Sequence, residues 1–264
     1  MTKPLTVLVV GDVFGEPGRR ALLTLLPGLK REHEVDCTIV NVENAAAGAG
    51  VTPSIAKSFL EGGVDVMTSG NHIWDKKEII EYIVKENLLL RPANYPPGTP
   101  GAGSIVVKAG PHKVAVLNLM GRVFLPTIDC PFRKADEEVA RLREEAPIVV
   151  VDMHGEATSE KQAMGWYLDG RVSAVLGTHS HVQTADERIL PGGTAYITDL
   201  GMTGPVDSVI GVDRDIAIQR FLSQMPIRFE PARGPAAVHG VVVRVDPESG
   251  KALEIRRLRV PLAN

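Results

Sequence analysis

Val172-Ser173-Ala174-Val175-Leu176-Gly177-Thr178-His179-Ser180-His181 joins a short apolar run to a pair of histidines. Val172 to Leu176 has the length and composition of a buried strand. Residues two apart in an extended chain point the same way, whereas on a helix they face different sides. A strand that ends in His-x-His therefore aims both rings into one small volume. Two neutral imidazoles placed together are half of a metal site. Two histidines on a surface loop would read the same way from this stretch alone.

The pattern repeats along the chain. Leu5 to Val10 is an apolar, β-branched run that stops at Gly11-Asp12. Cys37 to Val42 stops at Glu43-Asn44, and Val64 to Thr68 stops at Ser69-Gly70-Asn71-His72. Ile148 to Met153 stops at His154. Five strands thus end in residues that hold metals or handle protons. Each turn has a bland reading of its own, as a turn residue, a loop cap or a hydrogen-bonded histidine. Five of one kind point to a single site, because open α/β sheets bind ligands beyond the carboxyl ends of their strands.

Helices are expected between these strands. Pro17 opens one with Leu22, Leu25, Leu26 and Leu29 on one face, and Thr52-Pro53 is a capping hydroxyl followed by proline. Another is expected from about Asp75, with Ile79, Ile80, Ile83 and Val84 as its buried stripe and Asp75 and Glu78 as a capping box. Ala135 to Glu145 and Ser159 to Leu168 complete the set. Arg91 to Gly103 and Leu125 to Arg133 read as loops. Ser104 to Val107 pairs with Lys113 to Leu119 as a hairpin, and from Glu187 onward the chain reads as mostly β. Alternating strands and helices with a β-rich end give an α/β sheet sandwich in one domain, residues 1–264.

Composition excludes several classes. The chain has 264 residues, 44% hydrophobic and 23% charged, with a net charge of -3. That balance gives no reason to expect a nucleic-acid or membrane-surface binder. Cys37 and Cys130 form no disulfide framework and sit in no metal spacing, so both read as plain thiols. No apolar run approaches the roughly 18 residues of a membrane span. A cytoplasmic location is expected.

Taken in order, Gly-Asp, Asn-x-Glu-Asn, Gly-Asn-His, His and Gly-x-His-x-His resemble the calcineurin-like metallophosphoesterases. Gly70-Asn71-His72-Ile73-Trp74-Asp75, Arg91-Pro92-Ala93-Asn94-Tyr95-Pro96 and Gly177 through Leu190 narrow the resemblance to the YmdB-like branch. That branch is a bacterial group of metal-dependent phosphodiesterases acting on 2′,3′-cyclic nucleotides. The resemblance implies a four-layer α/β/β/α sandwich with two central mixed β-sheets. Two departures from the wider family fit the narrower one: Phe14 stands where a histidine is usual, and Glu43-Asn44 replaces a bridging aspartate motif.

Carried over residue by residue, the resemblance implies two divalent ions, Fe or Mn first and Zn next. Asp12, Glu43, Asn44 and His181 would hold one, and Glu43, Asn71, His154 and His179 the other. Carboxylate, amide oxygen and imidazole suit such ions. Four positive charges against two carboxylates leave a pocket that attracts a phosphate anion. The implied reaction is hydrolysis of a 2′,3′-cyclic nucleotide or related phosphodiester by attack of a metal-bound hydroxide, with His72 as general acid. In the wider family a carboxylate orients this histidine, a role open to Asp75, although helix capping is the preferred reading of that residue. A phosphomonoesterase on the same core is one alternative. A nucleotide- or RNA-sensing regulatory protein with weak turnover is the other. Expected partners are a small phosphoester or nucleotide, RNA ends, and further copies of the chain in a dimer or tetramer, with no membrane.

Residues outside this set carry blander expectations. Arg91, Asn94 and Tyr95 read as loop stiffeners more than substrate contacts. Trp166 and Tyr167 read as core, Thr184, Asp186 and Glu187 have no assigned role, and Arg256, Arg257 and Arg259 read as a solvated strand edge.

Overall fold

The computed structural model describes residues 3–263. Twelve strands and six helices follow in chain order: β1 Leu5–Val10, α1 Gly15–Glu32, β2 Cys37–Asn41, α2 Pro53–Glu61, β3 Val66–Thr68, α3 Ile79–Ile83, β4 Ser104–Ala109, β5 His112–Met120, α4 Pro131–Glu145, β6 Ile148–His154, α5 Thr158–Tyr167, β7 Ala174–Thr178, β8 Arg188–Ile189, β9 Ala195–Ile197, β10 Gly204–Pro205, α6 Arg214–Ser223, β11 Ala236–Val245 and β12 Ala252–Pro261.

The strands make two six-stranded mixed sheets. One runs β10-β11-β1-β2-β3 with β12 outside β11, and the other runs β4-β5-β6-β7-β9-β8. Strands β1, β2 and β3 are mutually parallel, as are β5, β6, β7 and β9. Side chains alternate between faces along each strand. Leu8 and Val10 of β1 therefore face the helices, packing with Leu22, Leu26 and Phe59. Val7 and Val9 face the other sheet and pack with Val116, Val150 and Leu176. Beyond the second sheet, Ala135, Val139 and Met164 of α4 and α5 cover Leu117, Val149 and Val151. The layers are α/β/β/α, and Cys37 is buried between the sheets with its thiol pushed up to about 12, chiefly by burial.

Caps and turns form where the residue types favour them. Thr52 Oγ1 accepts a hydrogen bond from the Ile55 amide, with Pro53 as the first helical residue. Asn94 is fully buried and stitches its loop to β5 through Met120, while Arg91 donates to four backbone carbonyls of the same loop. Both are stiffeners, as expected.

Four expectations need correction. The helix after Gly70 begins only at Ile79, so Asp75 caps nothing; Ile79 and Ile83 are buried but Ile80 and Val84 are exposed. Helix α4 starts at Pro131, inside the stretch read as loop. Trp166 and Tyr167 are on the surface, under the Arg188 guanidinium and hydrogen-bonded to Asp136 respectively. The β-rich end contains a helix, α6, capped by Asp213. Only Ala217 of α6 is buried, while Ile218, Phe221 and Leu222 face outward, so the helix has no inward apolar stripe for the sequence to reveal. Among the described residues, no helix is long and apolar enough to cross a membrane.

Candidate metal centre

All five donor-bearing turns lie at the carboxyl ends of parallel strands, on one rim of the two sheets. Asp12 follows β1, Glu43 and Asn44 follow β2, and Asn71 and His72 follow β3. His154 ends β6, and His179 and His181 follow β7. The structure brings all eight to one region.

Glu43, Asn71, His154 and His179 form the tighter group. His154 Nε2 lies 3.0 Å from Glu43 Oε1, 3.1 Å from Asn71 Oδ1 and 3.0 Å from His179 Nδ1. Its other nitrogen, Nδ1, donates to Thr178 Oγ1 at 2.9 Å, and Thr178 donates to Asp152 at 2.7 Å. His179 Nε2 is 3.1 Å from Glu156, which leaves Nδ1 to face inward. At most one proton, on His154 Nε2, is available to three acceptors.

The second group shows the same excess of acceptors. His181 Nδ1 donates to the Ile210 carbonyl at 2.8 Å, so Nε2 presents a lone pair. It faces Asn44 Oδ1 at 3.2 Å, and Asn44 commits its amide hydrogens elsewhere by donating to Gly48. Asp12 is fully buried; Oδ2 accepts from the His179 amide, and Oδ1 has no hydrogen-bond partner.

Lone pairs aimed at one another, beside buried carboxylates, are arranged for cations. The chain also leaves space for them. A methyl group on Gly70 would sit 2.2 Å from His154 Nε2 and 2.4 Å from Glu43 Oε2, so only glycine keeps the centre of the cluster open. The donor set fits divalent metals.

Electrostatics follow from burial. Burial pushes the Asp12 carboxyl up to about 6, against the opposing pull of His181 and His154. Burial would also raise Glu43, but the charge and hydrogen bond of His154, with His72 and His179, take it down to about 2. The reverse holds for His154: burial works downward, and Glu43, Asp12 and Asp152 carry it up to about 9. His179 falls to about 3 through burial and the charge of His154. Without metal, one proton on His154 is the compensating cation.

The two histidines of the opening stretch do not share a direction. His179 has φ of +96° and His181 of +66°, so the chain leaves the extended conformation directly after Thr178. Each ring consequently joins a different group. Positive φ at non-glycine residues costs of order 1–3 kcal/mol and collects at functional sites. The turn is braced from behind by Asp199, which accepts from the Ser180 amide and hydroxyl and from the buried Lys161.

Asp152, Lys161, Asp199 and Glu156 escaped the sequence reading. Asp152 had a signal: a carboxylate in the otherwise apolar Ile148–Met153. It accepts from Asn41 and Thr68 of one sheet and Thr178 of the other, and so ties the sheets together beneath His154. Asp75, read as a helix cap, is 2.8 Å from His72 Nδ1 instead, because the chain stays in turns there and brings positions three apart together. His72 lines a cavity of about 530 Å³ with Glu43, Asn44, His179 and His181. Asp186 and Thr184 fasten neighbouring backbone, and Glu187 pairs with Arg257.

Two mixed sheets between helical layers, with a cluster of cation-binding donors at the strand ends, define the calcineurin-like metallophosphoesterases. The sequence profile described as YmdB-like protein matches residues 8–258. The chain belongs to the YmdB-like family. It is 51% identical over 256 residues to a 2′,3′-cyclic-nucleotide 2′-phosphodiesterase of Bacillus subtilis, covering 97% of each chain. A phosphatase crystal structure from Mycoplasma pneumoniae superposes with a TM-score of 0.93 at 34% identity, over 99% of this chain and 95% of that one. A crystal structure from Thermus thermophilus superposes with a TM-score of 0.91 at 42% identity, over 97% and 99%.

Proposed function

We propose that the chain hydrolyses phosphodiesters, 2′,3′-cyclic nucleotides foremost, at a centre of two divalent cations. The observation that carries this reading is the convergence of acceptor atoms from Asp12, Glu43, Asn44, Asn71, His154, His179 and His181 without enough protons between them. Asp12, Glu43, Asn44 and His181 would hold one ion; Glu43, Asn71, His154 and His179 would hold the other. Their donor chemistry suits Mn, Fe(II) or Zn. When bound, such ions would supply positive charge toward phosphate and lower the pKa of water in the site.

The chain's own groups do the rest. Thr178, Glu156 and the Ile210 carbonyl fix which nitrogen each histidine turns inward. Asp75 holds His72 through Nδ1, which leaves Nε2 as the nitrogen to hand a proton to the leaving oxygen. The 51% identity to a cyclic-nucleotide phosphodiesterase supports the substrate class.

Turnover of 2′,3′-cAMP beside a simple phosphomonoester, by Mn-loaded and metal-stripped protein, tests the reading. Metal-dependent preference for the cyclic diester is expected. Turnover of the monoester alone would make the protein a phosphatase. Two bound metals with neither substrate turned over would make it a sensor.

Two further outcomes follow from the geometry. Gly70→Ala should cost about 1–3 kcal/mol of stability through overpacking and displace His154 or Glu43, so metal binding is lost. Retention of two metals by that variant would contradict the cluster. Metal affinity should also rise with pH. His154 holds its proton up to about pH 9 and Asp12 takes one up below about pH 6, and both protons compete with the cation. Binding at pH 7 therefore releases protons, measurable by titration calorimetry in buffers of different ionisation enthalpy. Affinity that stays flat from pH 6 to pH 9 would contradict this.

A further inference from the structure

The turn that carries Ile210 is built for a different residue. Val209 and Val212 exchange both backbone hydrogen bonds, at 2.9 and 3.0 Å, around Ile210 and Gly211. Both central residues have positive φ, +48° and +99°. Tight turns of this kind favour asparagine, aspartate or glycine at the first central position. A β-branched residue there is an outlier.

The backbone's task at this position does not require the side chain. The Ile210 carbonyl accepts from His181 Nδ1, which glycine would allow at lower conformational cost. Nor does the side chain fill the core, since Ile210 is 53% exposed. An isoleucine kept in an unfavourable conformation, largely in solvent, has a use outside the fold.

Its position shows what that use is. Ile210 lines the same cavity as Glu43, Asn44 and His181, as do Phe229 and Pro231, and its carbonyl contact places it next to the His181 ring. Phe229 is 45% exposed and has the Arg220 guanidinium 4.4 Å from its ring centroid. The two chain segments are held together by their backbones: Ala232 donates to the Gly211 carbonyl at 2.8 Å, and Asp213 donates to the Glu230 carbonyl at 2.8 Å. The cavity joins the carboxylate, amide and imidazole donors to apolar side chains in one lining. A nucleotide has the same division, an anionic phosphoester joined to a flat, largely apolar ring.

We propose that Ile210 and Phe229 form a nucleobase-binding wall that selects base-bearing phosphodiesters over base-free ones. This rests on the reading of the cavity as a phosphodiesterase site. The side chains act in binding and contribute no proton or ligand to the reaction.

The test is the ratio of kcat/KM for 2′,3′-cAMP to that for glycerol 1,2-cyclic phosphate, which has the strained diester but no base. It is measured in the Mn-loaded parent chain and in Ile210→Gly, Ile210→Leu and Phe229→Ala, with metal content recorded for each. In Ile210→Gly and Phe229→Ala the ratio should fall about tenfold or more, the effect of one apolar contact in a specificity pocket. Ile210→Leu keeps an apolar wall and should keep the ratio. An unchanged ratio in both truncated variants would overturn the proposal, while the parent's activity left the phosphodiesterase reading intact. An equal fall on both substrates, with loss of metal, would show that Ile210 acts only through His181, and would also overturn it. A parent chain that turns over neither diester would remove the phosphodiesterase reading, and the wall with it.

Discussion

Glu43→Ala is expected to abolish both metal binding and turnover. Glu43 Oε1 lies 3.0 Å from His154 Nε2 and 4.0 Å from His179 Nδ1, and Oε2 accepts the His72 amide at 3.2 Å. Removal leaves His154 and His179 facing each other without an intervening anion, inside a protein core where an uncompensated charge is costly. Changes one step away from a metal ligand already weaken binding by about 10- to 100-fold. Loss of the proposed shared ligand should exceed that, so purified Glu43→Ala should contain no stoichiometric metal and turn over at the rate of metal-stripped protein. Metal analysis and turnover on the same sample check it. Two metals per chain in Glu43→Ala would remove Glu43 from the bridging position.

His72→Ala has the opposite signature: full metal content and a low rate. The ring lines the cavity rather than the cluster, and its contact is with Asp75. A positioned proton donor contributes about 10²- to 10⁴-fold, so turnover should fall by that factor. The loss should shrink for a substrate whose leaving group is already acidic, such as bis-p-nitrophenyl phosphate, because such an oxygen departs without a proton. A merely structural imidazole would slow both substrates equally. Unchanged turnover would take His72 out of the mechanism.

The site was more legible than the elements around it. Each donor sits where an apolar run stops, and a run that stops at Gly-Asp or Asn-His is visible in one dimension. The parallel arrangement that makes those stops converge is a property of the sheets, and the alternation of strands and helices was enough to imply it. Asp75 was open to two readings, orienting partner of His72 or helix cap, and the cap was preferred; only the turn conformation, which brings the two within hydrogen-bonding distance, decides for the partner. Ile210 and Phe229 were not legible at all, because they flank a helix whose apolar residues face outward and leave no periodic stripe. Lys161 looked like any helical surface lysine; its burial depends on Asp199, thirty-eight positions away. Contacts set by tertiary packing leave no local pattern, and these residues belong to that kind.

The strand order also has a consequence for synthesis. β1 finds one of its two partners, β2, almost at once, but its other partner is β11, which begins at Ala236. The ribosome adds roughly 5–20 residues per second, so that edge of β1 waits on the order of 10 to 45 s for its neighbour. The intervening β4–β9 sheet can assemble meanwhile, since all its strands lie between Ser104 and Ile197. A nascent chain stalled before Ala236 would therefore display an open strand edge of Leu5-Thr6-Val7-Leu8-Val9-Val10, a segment suited to holdase chaperones and to unwanted pairing with a neighbouring nascent chain.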